Sequence, residues 1–152
     1  MVAGLRLSPL RSLPGDLDEL IEISLEEGHG LLQRLRQEWG DGSNRFDQPG
    51  ELLLEARLGP RLVGIGGLNR DPYLSNPEVG RIRHVYVHSA VQRSGVGRAL
   101  VSALLEHAGG RFEVVRLRTF TEEASRFYEA LGFTAAPDEP DATHRVVLDS
   151  ER

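Results

Sequence analysis

A chain of 152 residues is long enough for one domain with a buried core, and 39% hydrophobic with 27% charged residues is an ordinary folded composition, neither disordered nor fibrous. The absence of cysteine excludes disulfides, thiolate nucleophiles and cysteine-bound zinc, and makes a cytoplasmic setting the default expectation. A formal net charge of −5 argues against nucleic acid as partner, and because all 18 basic residues are arginine, Schiff-base lysine chemistry and a Walker-type phosphate loop are closed as well.

Met1 to Leu7 lacks a basic segment leading into an apolar stretch, so no secretory leader is expected. No apolar run approaches the ~20 residues that a membrane-spanning helix needs. Leu5 to Leu10 reads as an opening strand. Asp16 then stands where a helix cap belongs, before Leu17, Leu20, Ile21 and Leu25 at helical spacing. Gly28 and Gly30 break that pattern, and a second helix carries Leu31, Leu32 and Leu35. After a polar loop from Gly40 to Gly50, two strands are predicted over Glu51 to Leu58 and Arg61 to Leu68, with Gly59-Pro60 as the turn between them. A third strand is predicted from Arg81 to His88, a helix from Val96 to Ala108, and a strand from Phe112 to Leu117. Glu122 to Leu131 forms the last predicted helix, ended by Gly132. Phe133-Thr134 and Thr143 to Leu148 are expected to pair as a hairpin. The order is β-α-α-β-β-β-α-β-α-β-β, an α+β (mixed α/β) layout in one domain over 1–152.

The richest stretch is Val85-Tyr86-Val87-His88-Ser89-Ala90-Val91-Gln92-Arg93-Ser94-Gly95-Val96-Gly97-Arg98. An apolar strand enters a short loop with two glycines, and a helix starts at once. Free N–H groups at a helix start and their partial positive charge attract phosphate oxygens, and glycine lets the backbone approach an anion. Arg93 and Arg98 can add charged hydrogen bonds. A dinucleotide fingerprint does not fit, since Leu100 stands where its third glycine should fall. A plain strand-to-helix turn is the competing reading.

Gln92-x-x-Gly95-x-Gly97 resembles the Gln/Arg-x-x-Gly-x-Gly/Ala signature of the GNAT superfamily of N-acetyltransferases. Ala124-x-x-Phe127-Tyr128-Glu129-x-Leu131-Gly132-Phe133 resembles its second block, in the same order and at the usual separation. The resemblance implies a twisted mixed sheet of about six to seven strands flanked by about four helices, with a splayed parallel strand pair forming a cleft for acetyl-CoA. It implies transfer of the acetyl group by direct attack on the thioester carbonyl by a primary amine that belongs to a small-molecule or peptide acceptor, with CoA as the leaving group. A homodimer is common in such proteins. A non-catalytic acyl-CoA sensor or docking module of the same fold is the alternative.

By the same resemblance, the backbone of Val85, Tyr86 and Val87 would hold the pantetheine arm and the acetyl carbonyl. The amides of Arg93, Ser94, Gly95, Val96, Gly97 and Arg98 would hold the pyrophosphate, with Gln92 also among the coenzyme-binding residues. Tyr128 would be the general acid for the leaving thiolate, against a reading as a packed helix tyrosine. Thr121 would touch the coenzyme, or simply cap its helix. Relatives often carry a base on the central strand, but alternation places Arg81, Arg83 and Val85 on the face of Val87, and arginine cannot accept a proton. His84 falls on the other face unless a bulge shifts the register. Asp71 and Tyr73, in the loop that begins at Asn69, are the other base candidates. Arg81, Arg83 and Asn69 are candidates for binding the acceptor, the arginines through an anionic group or else paired with acids such as Glu55. His84 and His88 lie too far apart on a strand rising ~3.3 Å per residue to share an ion, so no metal is expected.

Overall fold

The computed structural model describes residues 2–148; Met1 and residues 149–152, at the ends of the expected domain, lie outside the described residues. The elements follow in the expected order: β1 (Leu5–Pro9), α1 (Leu17–Glu26), α2 (Leu31–Asp41), β2 (Leu52–Leu58), β3 (Arg61–Arg70) and β4 (Val79–Val87). A 3-10 turn at Ser89–Val91 leads to α3 (Val96–Ala108), β5 (Val114–Leu117), α4 (Glu122–Ala130), β6 (Thr134–Ala135) and β7 (His144–Val147). The seven strands form one sheet in the order β1-β2-β3-β4-β5-β7-β6, and only β4 and β5 run parallel. The α+β layout expected from the sequence is therefore the one observed. No helix among the described residues is long and apolar enough to cross a membrane.

Each face of the sheet has its own core. Leu17, Leu20 and Ile21 of α1 and Leu32 and Leu35 of α2 pack with Leu53, Ile65, Phe46 and Tyr86. On the other face Leu100, Val101 and Leu104 of α3, with Tyr128 and Phe133 at α4, pack with Val63, Leu68, Ile82 and Val115. Leu100 and Leu104 are fully buried, and each such burial contributes about 1.5–3 kcal/mol. Element bounds differ modestly from expectation. β4 begins at Val79 rather than Arg81, and Phe112 is a core residue ahead of β5 rather than part of it. Asp16 does precede α1, but its side chain makes no cap; its carboxylate takes the Arg57 guanidinium through two hydrogen bonds of 2.8 and 2.9 Å. Charge attraction across to β2 outcompetes a local amide here.

Two irregularities of β4 prepare the site. It pairs with β5 only from Val79 to Arg81, opposite Val114 to Arg116. Beyond that point the two strands part, and β4 continues to Val87 with an open edge. Against β3, Tyr86 pairs with Ile65 but Arg83 pairs with Gly67, so three steps on β4 oppose two on β3. The extra residue is absorbed at His84, whose φ of 60° is left-handed. Side-chain alternation reverses across this bulge. Ile82 before it and Val85 and Val87 after it face α3, whereas Tyr86 joins the α1–α2 core. The expected grouping of Arg81 and Arg83 with Val85 and Val87 is thereby corrected, because it assumed uninterrupted alternation.

Candidate functional site

The parting of β4 and β5 opens a groove of about 510 Å³, bounded by Val85 and Val87 on one side and by Thr121, at the cap of α4, with Ala124, Phe127 and Tyr128 of that helix on the other. One end is closed by Gln92, Arg93, Gly95, Gly97 and Arg98. This loop turns tightly into the helix start. Arg93 (φ 66°) and Gly95 (φ 100°) both take left-handed conformations, while the amides of Gln92 and Ser94 donate to the Ser89 and Val91 carbonyls at 3.4 and 3.3 Å. Gly95 stands at the cap of α3 and offers no side chain to satisfy the helix start. The first amide bonded within the helix is that of Ala99, 3.0 Å from the Gly95 carbonyl, so the amides of Val96, Gly97 and Arg98 remain available to an anion. A Cβ on Gly97 would sit 3.4 Å from Phe127 and 3.5 Å from Val87, narrowing the groove between them.

Side chains brace this loop from outside. The Gln92 amide donates to the Val87 carbonyl at 3.0 Å, and the Ser94 hydroxyl folds back onto the Val91 carbonyl. Val96 is wholly buried, so only its backbone can serve the groove. Arg93 reaches across to Glu123 at 3.1 Å, an exposed ion pair spanning the groove mouth. Thr121 lines the groove and also caps α4, its hydroxyl accepting from the Ala124 amide at 3.1 Å. Tyr86 points away from the groove and donates to Glu27 at 2.6 Å, which holds that carboxyl below the usual carboxylate range.

A second pocket of about 240 Å³ adjoins the groove and shares Val85 and Tyr128 with it. Tyr128 is only 9% exposed, held between Phe127 and Phe133 with ring centroids at 4.9 and 5.6 Å. Burial raises its pKa well above the ordinary phenol value, so the hydroxyl keeps its proton near neutrality. The bulge places His84 in the wall of this second pocket. Its ring is buried, and neither nitrogen has a hydrogen-bond partner among the described residues. Burial, aided by the nearby Arg83 charge, pushes its pKa down to about 4, so the ring is neutral at pH 7. Glu38 of α2 lies 4.0 Å from Nε2, and its Oε1 is also buried without a hydrogen bond.

The other expected residues are placed differently. The buried Asp71 carboxylate joins Arg81 at 3.4 Å and Arg116 at 2.9 Å, while its second oxygen accepts from the Tyr73 amide. Arg81 also donates to the Asp141 carbonyl at 2.6 Å. These two arginines are register partners on β4 and β5, so the cluster sits at the root of the splay. Arg83 faces Glu38 at 3.6 Å, and Glu55 pairs with Arg57 at 3.1 Å rather than with either β4 arginine. Asn69 is buried outside the second pocket, its amide exchanging hydrogen bonds with Asn44 and donating to Glu51. Tyr73 is half-exposed in the second pocket, with Arg81 over its ring at 4.7 Å. His88 caps the 3-10 turn by accepting from the Ala90 amide.

Residues 16–133 match the acetyltransferase (GNAT) family. The chain belongs to that family. Among solved structures, a candidate acetyltransferase from Exiguobacterium sp. 255-15 is 26% identical with a TM-score of 0.82, covering 94% of this chain and 93% of its own. An acetyltransferase of the GNAT family from Staphylococcus aureus Mu50, at 17% identity and TM-score 0.72, covers 95% of this chain and 100% of its own. A candidate acetyltransferase from Salmonella typhimurium, solved with its cofactor acetyl-CoA, shares the fold at 19% identity and TM-score 0.69, over 96% of this chain and 95% of its own. No curated protein matches the chain closely enough to count as a relative.

Within this GNAT fold several site residues escaped the sequence reading. His29, in the exposed turn between α1 and α2, lines the groove. Glu38 had only its helical position to mark it. Arg118 and Phe120 line the second pocket from the segment between β5 and α4. The one available signal was an apolar residue, Phe120, flanked by threonines and outside any predicted element.

Proposed function

We propose that this GNAT protein is an N-acetyltransferase that takes acetyl-CoA in the groove and a primary amine in the adjoining pocket. The observation that carries this reading is the meeting of the two cavities at Val85 and Tyr128, with neutral His84 on the amine side. The start of α3 fits a diphosphate by the free N–H groups of Val96, Gly97 and Arg98, by Gly95 and by the slim passage at Gly97, while the Gln92 and Ser94 amides are taken by the Ser89 and Val91 carbonyls. The exposed backbone of β4 at Val85 and Val87 suits a pantetheine arm lying along the open strand edge. Bound there, acetyl-CoA supplies a thioester in which a bond from nitrogen to the acyl carbon replaces the carbon–sulfur bond. The solved relative with acetyl-CoA supports this choice of donor by likeness of fold.

His84 takes the proton that the amine nitrogen sheds. Its neutral ring is the accepting form, and Glu38 at 4.0 Å stabilises the imidazolium once it appears. Low basicity in the closed protein is tolerable because a nitrogen becomes far more acidic on bonding to an acyl carbon. Tyr128 directs its hydroxyl to the departing sulfur and gives it a proton, or a strong hydrogen bond, as negative charge develops. Asp71 is not assigned a proton role, since both its oxygens are engaged. The sensor reading drew its support from the lack of a base on the strand, and His84 weakens that support.

The test combines coenzyme binding with turnover. Calorimetry should show CoA binding to wild type, Tyr128→Phe and His84→Gln alike. Release of CoA thiol in the presence of amines should fall by about 10²–10⁴-fold in either variant. Binding of CoA with no turnover of any amine would favour the sensor.

A further inference from the structure

Every fully charged side chain lining the second pocket is an arginine: Arg34, Arg81, Arg83 and Arg118. Three of them have carboxylate partners. Arg81 is held by Asp71, while Arg34 and Arg83 share Glu38. Arg118 has no carboxylate partner among the described residues. Instead its guanidinium lies over the Phe120 ring, 5.2 Å from the centroid. The segment that carries both is pinned through the residue between them. The Thr119 amide donates to the Thr143 hydroxyl oxygen at 2.9 Å, and its own hydroxyl meets that of Ser125 at 3.1 Å. Arg118 and Phe120 are thereby turned together toward the pocket mouth.

Apolar surface at this mouth is unusually open. Phe120 is 80% exposed, Tyr73 52% and Leu31 40%, and all three line this pocket. Rigid rings held in water beside a cation form a receptor for a molecule with an apolar body and a negative end. The cation–π contact keeps the guanidinium plane in place without consuming its hydrogen-bond donors, which suits a forked grip on a carboxylate. A volume of about 240 Å³ lies below the ~300–1,000 Å³ usual for drug-sized ligands, so the ligand is small.

Resting on the acetyl-transfer reading, we infer that the acceptor is a small primary amine bearing a carboxylate and an apolar side group, read by Arg118 and Phe120. Polyamines and basic peptides are disfavoured, because a second ammonium would meet arginines.

Matched acid and amide pairs test this independently of turnover. N-acetyl derivatives of alanine, leucine and phenylalanine, and the corresponding N-acetyl amides, are titrated into the protein with CoA present and followed by calorimetry or NMR. The acids with larger side groups should bind at least 10-fold more tightly than their amides. Arg118→Gln should remove that preference, and Phe120→Ala should weaken the larger acids while sparing the alanine derivative. Both positions are exposed, so an unchanged melting temperature checks folding. Equal binding of acid and amide, binding of neither in every pair, or a preference that survives Arg118→Gln would each overturn the inference. The CoA titration stands apart: its failure would refute acetyl transfer, whereas intact CoA binding without acid preference would refute only the acceptor assignment.

Discussion

A histidine with both ring nitrogens buried and unpartnered carries a measurable energetic signature. His84 has its pKa lowered from 6.5 to about 4, mainly by loss of water around the charged form. The unfolded chain therefore binds a proton at this position before the folded protein does. Stability is unaffected above pH 6.5 and declines as the pH falls from there toward 4, by about 3 kcal/mol at pH 4. His84→Gln, which cannot titrate, should show a flatter decline over the same window in urea melts at stepped pH. A constant difference between the two proteins across pH 4–6.5 would mean that the ring is solvated rather than dry. The same dryness explains the choice of residue. A neutral imidazole survives there, whereas a carboxylate would meet the full cost of desolvation beside Arg83 with Glu38 as a like-charged neighbour.

At the scale of elements, the start of α3 closes one end of the groove and Arg93–Glu123 bridges its mouth. That ion pair is highly exposed on both sides, so breaking it costs at most about 1 kcal/mol. A diphosphate would compete with Glu123 for the guanidinium. Glu123→Gln should accordingly tighten CoA binding by up to about five-fold, with the gain fading as salt is added, while Arg93→Ala should weaken it. Gly95→Ala is a different perturbation. A φ of 100° strains any residue with a Cβ, by about 1–2 kcal/mol, and the new methyl would approach Val2 at 3.2 Å. Its loop should relax and CoA affinity should drop, measurable by the same titration. A Gly95→Ala protein of wild-type affinity would show that the start of α3 is not what grips the coenzyme.

Across the whole molecule, the sequence made the skeleton legible because local signals and long-range packing agree. Apolar spacing in α1 to α4, Gly59-Pro60 between β2 and β3, and Gly132 after α4 each mark an element that the structure contains. The turn into α3 was legible because its glycines mark backbone geometry, Gly95 taking a left-handed φ at the helix start. The bulge at His84 was not, since nothing local announces a left-handed histidine, and one added residue reverses every later side chain on β4. Arginine roles were equally hidden, because a guanidinium's partner is chosen by tertiary distance. The Asp71–Arg81–Arg116 cluster is the sharpest case, joining the β3–β4 loop to the last paired residues of β4 and β5. Its side chains are almost wholly buried, and among the described residues Asp71 is the only carboxylate shared by the two arginines. Asp71→Asn keeps the shape but leaves Arg81 without a carboxylate partner beside a second guanidinium, which should cost about 3–5 kcal/mol in urea unfolding. Adding Arg81→Met removes the orphaned charge and should recover part of that loss. A loss below 1 kcal/mol for the single variant would mean that water reaches the root of the splay, and that the strands are held apart by packing rather than by this charge cluster.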